Sequence, residues 1–515
     1  MKHNGMGTLL CSLLLLGCAR QPAMESLVPK EPSGAPDYMC TWNLQGYVTS
    51  YAGNEQMRRA MNEENLFGKG AYQNWAELFP AIRADLYFVM DDSWDIPLEE
   101  NAAGDNPYLG TVELNEERFS SFKGTPAKRL KQLTQRLKKL GWKGAGGWIC
   151  AQRAPRLAAV PEEDYWTERL RATHEAGFSY WKVDWGREAG NDSWRRMLTE
   201  LGRKHAPQLW IEHAMKYEYV EFSDVFRTYD VENVIAQPVT IQRVVQLLPR
   251  RAADGAKGIV NCEDEPYIAA GLGCAIGIMR HPFAGSLPDG RQDEAFPPVG
   301  HNYKKCLDEV VRAVRWHRLA EPFAVDGRYA VDSVWLTDTW ELRENETWNK
   351  GRPVGTVLCE RAPARVSRGM PLPEVADTSA LRPYVLASRY PNGAVAVAAI
   401  GRAAGREYVE REAAVTVAGS DWQAPVGLFG RFGAVTLVYP SVPAEMAGME
   451  VWAQDLAGDS PVNITSEVKV EGNRLTVPGT VITRVGLMNA TPGDKSAPGL
   501  VLKMRLPAGS GRHAE

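Results

Sequence analysis

The chain has 515 residues, too many for one compact core, so at least two domains are expected. A hydrophobic fraction of 44% and a charged fraction of 24% are ordinary for a soluble globular protein. With 59 basic and 63 acidic residues the net charge is −4, which leaves no electrostatic footprint for nucleic acid or for an anionic membrane surface.

Lys2 and His3 precede an apolar run from Leu9 to Leu16, broken only by Cys11 and Ser12. The run is too short to span a bilayer and reads as the core of a signal peptide. It ends in Leu15-Leu16-Gly17-Cys18, which resembles the bacterial lipobox, with Cys18 as the lipidated residue. An ordinary secretory signal with a chance cysteine is the alternative. Residues 1–18 are therefore expected to be a lipoprotein signal, and 19–37, containing Pro, Ser and Gly without periodicity, a flexible tether. The protein would be exported and lipid-anchored in the bacterial cell envelope, at the periplasm or cell surface. The lipid would be its only membrane attachment, because no other segment is long and apolar enough to cross. Cys40, Cys150, Cys262, Cys274, Cys306 and Cys359 are scattered, and their spacing gives no pairing. The first four lie in strand-like runs, where buried free thiols are expected.

From 38 to 325 short apolar runs ending in polar residues alternate with helical patterns. The runs are CTWNLQGY (40–47), DLYFVMD (85–91), AGGWICA (145–151), FSYWKVD (178–184), QLWIEH (208–213), DVFRTYD (224–230), GIVNCED (258–264) and CAIGIMR (274–280). The clearest helix follows Thr125 and Pro126 and ends at Gly141, with Leu130, Leu133, Leu137 and Leu140 on one face. Similar patterns begin at Glu162, Asp192 and Cys306. Eight strands with intervening helices predict an α/β fold, a (β/α)8 TIM barrel, with only a stub of helix between the last two strands.

Beyond the barrel the texture becomes β-like. Residues 326–380 read as a connection with one or two strands, and 381–515 as a C-terminal antiparallel β-sandwich. Asn392-Gly393 and Gly472-Asn473 mark hairpins.

In such a barrel the C-terminal strand ends form the active face. Carboxylates gather there: Asp91-Asp92 after strand 2, Asp184 after strand 4, Glu212 on strand 5, Asp230 with nearby Glu232 after strand 6, and Glu263-Asp264-Glu265 after strand 7. Capping a following helix explains one such residue but not five strands of them. Retaining glycosidases need two carboxyl groups about 5–5.5 Å apart. Strands 4 and 6 are second neighbours, with backbones about 9–10 Å apart, so inward side chains can close that gap. Lys182 points the same way as Asp184, where its charge would keep a nucleophile ionised. Trp42, Trp94, Trp148 and Trp185 are candidate stacking walls for a pyranose, with core packing an equal reading for Trp148. His213 reads equally as a packed strand-end histidine. The triad at 263–265 reads as a solvated loop with one substrate contact rather than a calcium site.

The order of these motifs resembles clan D glycoside hydrolases, above all the family 27 α-galactosidases (melibiases). MDDSWD matches the second-strand Asp-Asp-x-Trp, WKVD the fourth-strand Lys-aromatic-Asp with Val183 in place of the aromatic, and Trp42 the first-strand pocket tryptophan. IGIMRHPF is similar to the last-strand pattern. The resemblance spans about 38–320 and implies a retaining mechanism with Asp184 as nucleophile and Asp230 as acid/base, Glu232 being the alternative. It implies Trp42, Asp91, Asp92, Trp94, Trp148, Lys182, Glu212 and Arg227 as substrate-binding residues. The substrate would be an oligo- or polysaccharide with terminal α-galactose-like residues, and no metal or organic cofactor is required. Two departures stand out. Asp230 follows Arg227 by three residues where the family usually has four, and Glu212 is followed by His213 in place of Trp. A β-L-arabinopyranoside or α-N-acetylgalactosaminide is the alternative sugar, and a non-catalytic glycan-binding lipoprotein the alternative function.

Overall fold

A computed structural model describes residues 24–98, 103–228, 235–283, 286–291, 306–343, 352–440 and 448–506. The first half is built from β1 (Tyr38–Cys40), α1 (Trp42–Val48), α2 (Asn54–Arg59), α3 (Glu63–Phe67), β2 (Tyr87–Met90), α4 (Pro126–Lys139), β3 (Gly144–Ile149), α5 (Glu162–Ala176) and β4 (Tyr180–Val183). It continues through α6 (Asp192–His205), β5 (Trp210–His213), β6 (Val225–Arg227), α7 (Ala236–Leu247), β7 (Ile259–Asn261), α8 (Pro266–Leu272), β8 (Gly277–Ile278) and α9 (Leu307–Trp316).

Strands β7 to β1 and then β8 lie side by side in one sheet of eight. All its pairs are parallel, and a parallel bridge between Asn261 and Ala275 closes the ring. The expected TIM barrel is therefore present. Local chemistry explains the helices. Thr125 caps α4 by accepting from the Lys128 amide, Pro126 opens it, and Leu130, Leu133 and Leu137 are buried. α8 is the expected stub, seven residues long.

The first strand differs from its reading. It ends at Cys40, and Trp42–Val48 is helical. Thr41 donates the last ladder bond to Val89, then accepts from Gln45 to start the helix. Leu44, Tyr47 and Val48 recur at helical rather than strand spacing. The stretch read as a tether is packed from its described start: Leu27 and Val28 are buried, and the Ser33 amide donates to Asp85 at 2.9 Å.

The second half is a sandwich. Its larger sheet runs in the order Val462–Asn463, Glu450–Asp455, Gly499–Arg505, Val426–Gly430, Val395–Ile400, Tyr384–Arg389, Arg365–Arg368, Tyr329–Val331. The smaller runs Glu374–Val375, Ala413–Ala418, Phe432–Val438, Arg474–Pro478, Lys469–Glu471. Both predicted hairpins form, Tyr384–Arg389 with Val395–Ile400 and Lys469–Glu471 with Arg474–Pro478. Most neighbours are antiparallel, with parallel pairs such as Val395–Ile400 beside Val426–Gly430. Two strands from the stretch read as a connection, Tyr329–Val331 and Arg365–Arg368, join the larger sheet.

Trp316 of α9 packs against Tyr390 and Phe429, so one apolar core runs across both halves. Among the described residues Cys40, Cys150, Cys262, Cys274 and Cys306 are buried free thiols and Cys359 is an exposed one. Among them too, no helix is long and apolar enough to cross a membrane.

Candidate active site

Strand register brings Trp148, Lys182 and Glu212 into one row across β3, β4 and β5. Asp184 follows β4 directly, and its amide makes the last ladder bond to Ile149 at 3.0 Å. From α6, Arg195 donates to the carbonyls of Val183 and Asp184 at 3.0 and 2.7 Å, which pins the strand end. Gly186 has φ +147°, and a Cβ there would lie 2.6 Å from the Ala151 carbonyl oxygen, so only glycine lets the chain turn away from Asp184.

Both carboxylate oxygens of Asp184 are held. Arg227 donates to Oδ1 at 3.1 Å and the Trp148 indole N–H to Oδ2 at 3.0 Å. The cation placed on this carboxylate is thus Arg227 from β6. Lys182, expected in that role, reaches Asp91 at 3.1 Å and Glu263 at 3.4 Å. Such fixed, charge-assisted donors hold the carboxylate in one orientation.

Asp91 accepts the Cys40 thiol at 2.8 Å as well as Lys182, and receives the Asp92 amide on its other oxygen. Burial pushes its pKa up, but Lys182 and the Cys40 thiol outweigh burial and hold it below the usual range. Asp92 accepts from Arg58 at 2.8 Å and from Ser93 at 2.9 Å. Burial still dominates there, and its pKa is pushed up to about 6. Arg58 also lies over the ring of Trp185, at 5.6 Å.

Glu212 is fully buried. It accepts from Tyr180 at 2.8 Å, Asn261 at 2.7 Å and Tyr38 at 3.4 Å, and pairs with Arg227 at 3.4 Å. Burial raises its pKa against the pull of Arg227. These partners place it beneath the pocket, within the barrel floor. Glu263 lies beside it and is only 2% exposed, which corrects the reading of that segment as a solvated loop. Asp264, with φ +57°, folds back to accept the amides of Met279 and Arg280 at 2.9 and 3.1 Å.

The tryptophans separate. Trp94 is buried in the core against Phe178 and donates to the Trp148 carbonyl at 2.8 Å, so it offers no open face. Trp148 is buried with its ring 5.3 Å from Trp185. Trp42 and Trp185 remain partly exposed. His213 packs between Arg195 and Thr199, and burial first, then Arg195 and Arg203, hold its pKa well below the ordinary value. It is a neutral core histidine.

Asp230 and Glu232, like Cys18, lie outside the described residues. Sequence reading missed Tyr38, Tyr180, Asn261, Cys40 and Arg58 as parts of the site. The first four sit at inward alternate positions of their strands, a signal available from the two-residue period. Arg58 comes from α2, and nothing in its local sequence marks it. Among the described residues no group of three or more His, Cys, Asp or Glu side chains is arranged to hold a metal ion.

No family model matches the chain, and no curated protein matches it. The chain is similar to a family 27 β-L-arabinopyranosidase from Geobacillus stearothermophilus at 10% identity and a TM-score of 0.44, over 93% of this chain and 98% of that one. It is similar to α-galactosidase I from Mortierella vinacea at 10% identity and a TM-score of 0.42, over 92% and 97% of the two chains. It is similar at the same level to an α-amylase from Anoxybacillus, at 9% identity and a TM-score of 0.41, over 91% and 98%. The fold assignment rests on the strands themselves.

Proposed function

We propose that the protein is a retaining glycoside hydrolase that releases terminal α-galactose-like residues from oligo- or polysaccharides. The observation that carries this reading is Asp184: a carboxylate at the C-terminal rim of a barrel strand, with both oxygens fixed by Arg227 and Trp148. A carboxylate held in one orientation beside a cation is what a nucleophile requires. Asp184 attacks the anomeric carbon as Asp230 gives its proton to the leaving oxygen. Asp230 then takes a proton from water, whose oxygen displaces Asp184. Asp91 and Lys182, locked together, bind ring hydroxyls, with Trp42 and Trp185 as the apolar walls. Glu232 is the alternative acid/base.

The test is turnover of aryl α-galactosides, β-L-arabinopyranosides and α-N-acetylgalactosaminides by the wild type and by Asp184→Asn. Release of the retained anomer, lost in the variant, is the expected result. Glycan binding with no turnover of any glycoside would make the protein a non-catalytic binder instead. We also propose export with a lipid on Cys18; Cys18→Ala is expected to move the protein from the membrane fraction to the soluble one, and an unchanged membrane fraction would rule the anchor out.

A further inference from the structure

β7 delivers a carboxylate that the glycosidase mechanism does not use. Glu263 accepts from the Tyr38 hydroxyl at 3.0 Å and pairs with two cations, Lys182 at 3.4 Å and Arg227 at 3.8 Å. Each cation continues to one carboxylate of the pocket: Lys182 to Asp91 at 3.1 Å, Arg227 to Asp184 at 3.1 Å. Glu263 is thus the point from which both charged arms of the site diverge. Glu212 also holds Arg227, but its carboxylate is shared with Tyr180 and Asn261.

We propose that Glu263 is a positioning residue, the shared counter-ion that divides the charge of Lys182 and Arg227 between the barrel floor and the pocket. With Glu263 neutral, Arg227 is held from below by Glu212 alone, draws more electron density from the attacking oxygen and weakens it as a nucleophile. A cation half-satisfied from below orients that oxygen without quenching it. The same carboxylate keeps Lys182 and Arg227 in fixed register, so the sugar-binding and attacking arms move together. The inference rests on the glycosidase reading for its kinetic consequence, and on the contacts alone for its electrostatic one.

The groups facing Asp184 are Arg227 from β6, Trp148 and the neighbouring Cys150 from the β3 end, and Arg195 from α6. Those facing Glu263 are Lys182, Arg227, Tyr38 and, through Tyr38, Glu212. With Glu263 neutral, Lys182 stays paired with Asp91 and Arg227 with Asp184 and Glu212, and their field shifts toward Asp184.

The experiment follows the carbon-13 signal of the Asp184 carboxyl, assigned by its loss in Asp184→Asn, across pH in the wild type, Glu263→Asp and Glu263→Gln. The midpoint in Glu263→Gln is expected to fall by about one pH unit, as removal of a negative charge that shares Arg227 implies. Glu263→Asp, one methylene shorter, shifts it the same way by less than half as much. With an aryl glycoside, kcat of Glu263→Gln is expected to fall about fivefold with KM little changed, and the acid limb of kcat/KM to move down with the midpoint. An unmoved or rising midpoint in the variants overturns the inference. That result can coexist with full wild-type turnover, in which case the glycosidase reading stands. A wild type without turnover fails the glycosidase reading while the titration still decides the role of Glu263. Should Glu263→Gln not fold, the Glu263→Asp midpoint decides alone.

Discussion

The sandwich half and the barrel face both bury charge, but they balance it differently. Arg312 of α9 meets Asp455 through two hydrogen bonds of 2.9 and 3.3 Å, and Asp455 also accepts the amides of Ala457 and Asn489. Arg402 and Asp338 pair in the same one-to-one way, with Tyr384 completing the carboxylate. Among the described residues of the barrel face, Asp91, Asp184, Glu212 and Glu263 share the two cations Lys182 and Arg227. A pair that closes on itself does structural work, while a cluster with excess carboxylate retains charge that a substrate can complete.

That contrast can be broken in order of expected effect. Asp184→Asn is expected to lower kcat by about ten-thousandfold or more with thermal stability nearly unchanged, measured by aryl glycoside turnover and calorimetry. Activity within tenfold of wild type would remove the site from this face. Arg312→Met is expected to do the reverse. It strands Asp455 without its cation, so stability to urea falls by about 3–5 kcal/mol, while kcat and KM of the folded fraction hold. A kinetic change without a stability change would show that the two halves are not separable in this way.

The smallest effect sharpens the comparison on the barrel side. Asp95 is buried, accepts the Val112 amide at 3.2 Å, and has its pKa pushed up to about 7 by burial. A carboxyl raised in the folded state costs nothing below its unfolded value near 4; its penalty grows as pH rises from about 4 to about 7 and levels off above that. Asp95→Asn should therefore match the wild type in stability at pH 4 and exceed it by about 2 kcal/mol at pH 8 in urea titrations. Equal stability at both pH values would show that the Asp95 site is better solvated than its contacts indicate.

Much of this was legible in the chain. Eight apolar runs with helical patterns between them specified the barrel, because parallel strands buried on both faces leave little freedom in composition. Thr125, Pro126 and Gly141 marked one helix almost to the residue, since capping is local chemistry. Asp91, Lys182 and Asp184 were legible as strand-end residues because strand ends are placed by the same local pattern. The first strand misled, because Trp42–Val48 carries enough apolar residues to read as a strand until Leu44, Tyr47 and Val48 are set at helical spacing. The second core of the sandwich was signalled by its hairpins, but the strands at 329–331 and 365–368 pair over long sequence separations that no local pattern records.

By itself, then, the sequence determined the strand count, the helix caps and which carboxylates stand at strand ends, all of which depend on neighbours within a few residues. Only the tertiary structure decided which cation serves which carboxylate. Arg227 rather than Lys182 reaches Asp184, Glu212 and Glu263 sink beneath the pocket, and Trp94 turns into the core. Each of these depends on the closure of a ring of strands that brings residues from 43 to 225 positions apart within hydrogen-bonding distance.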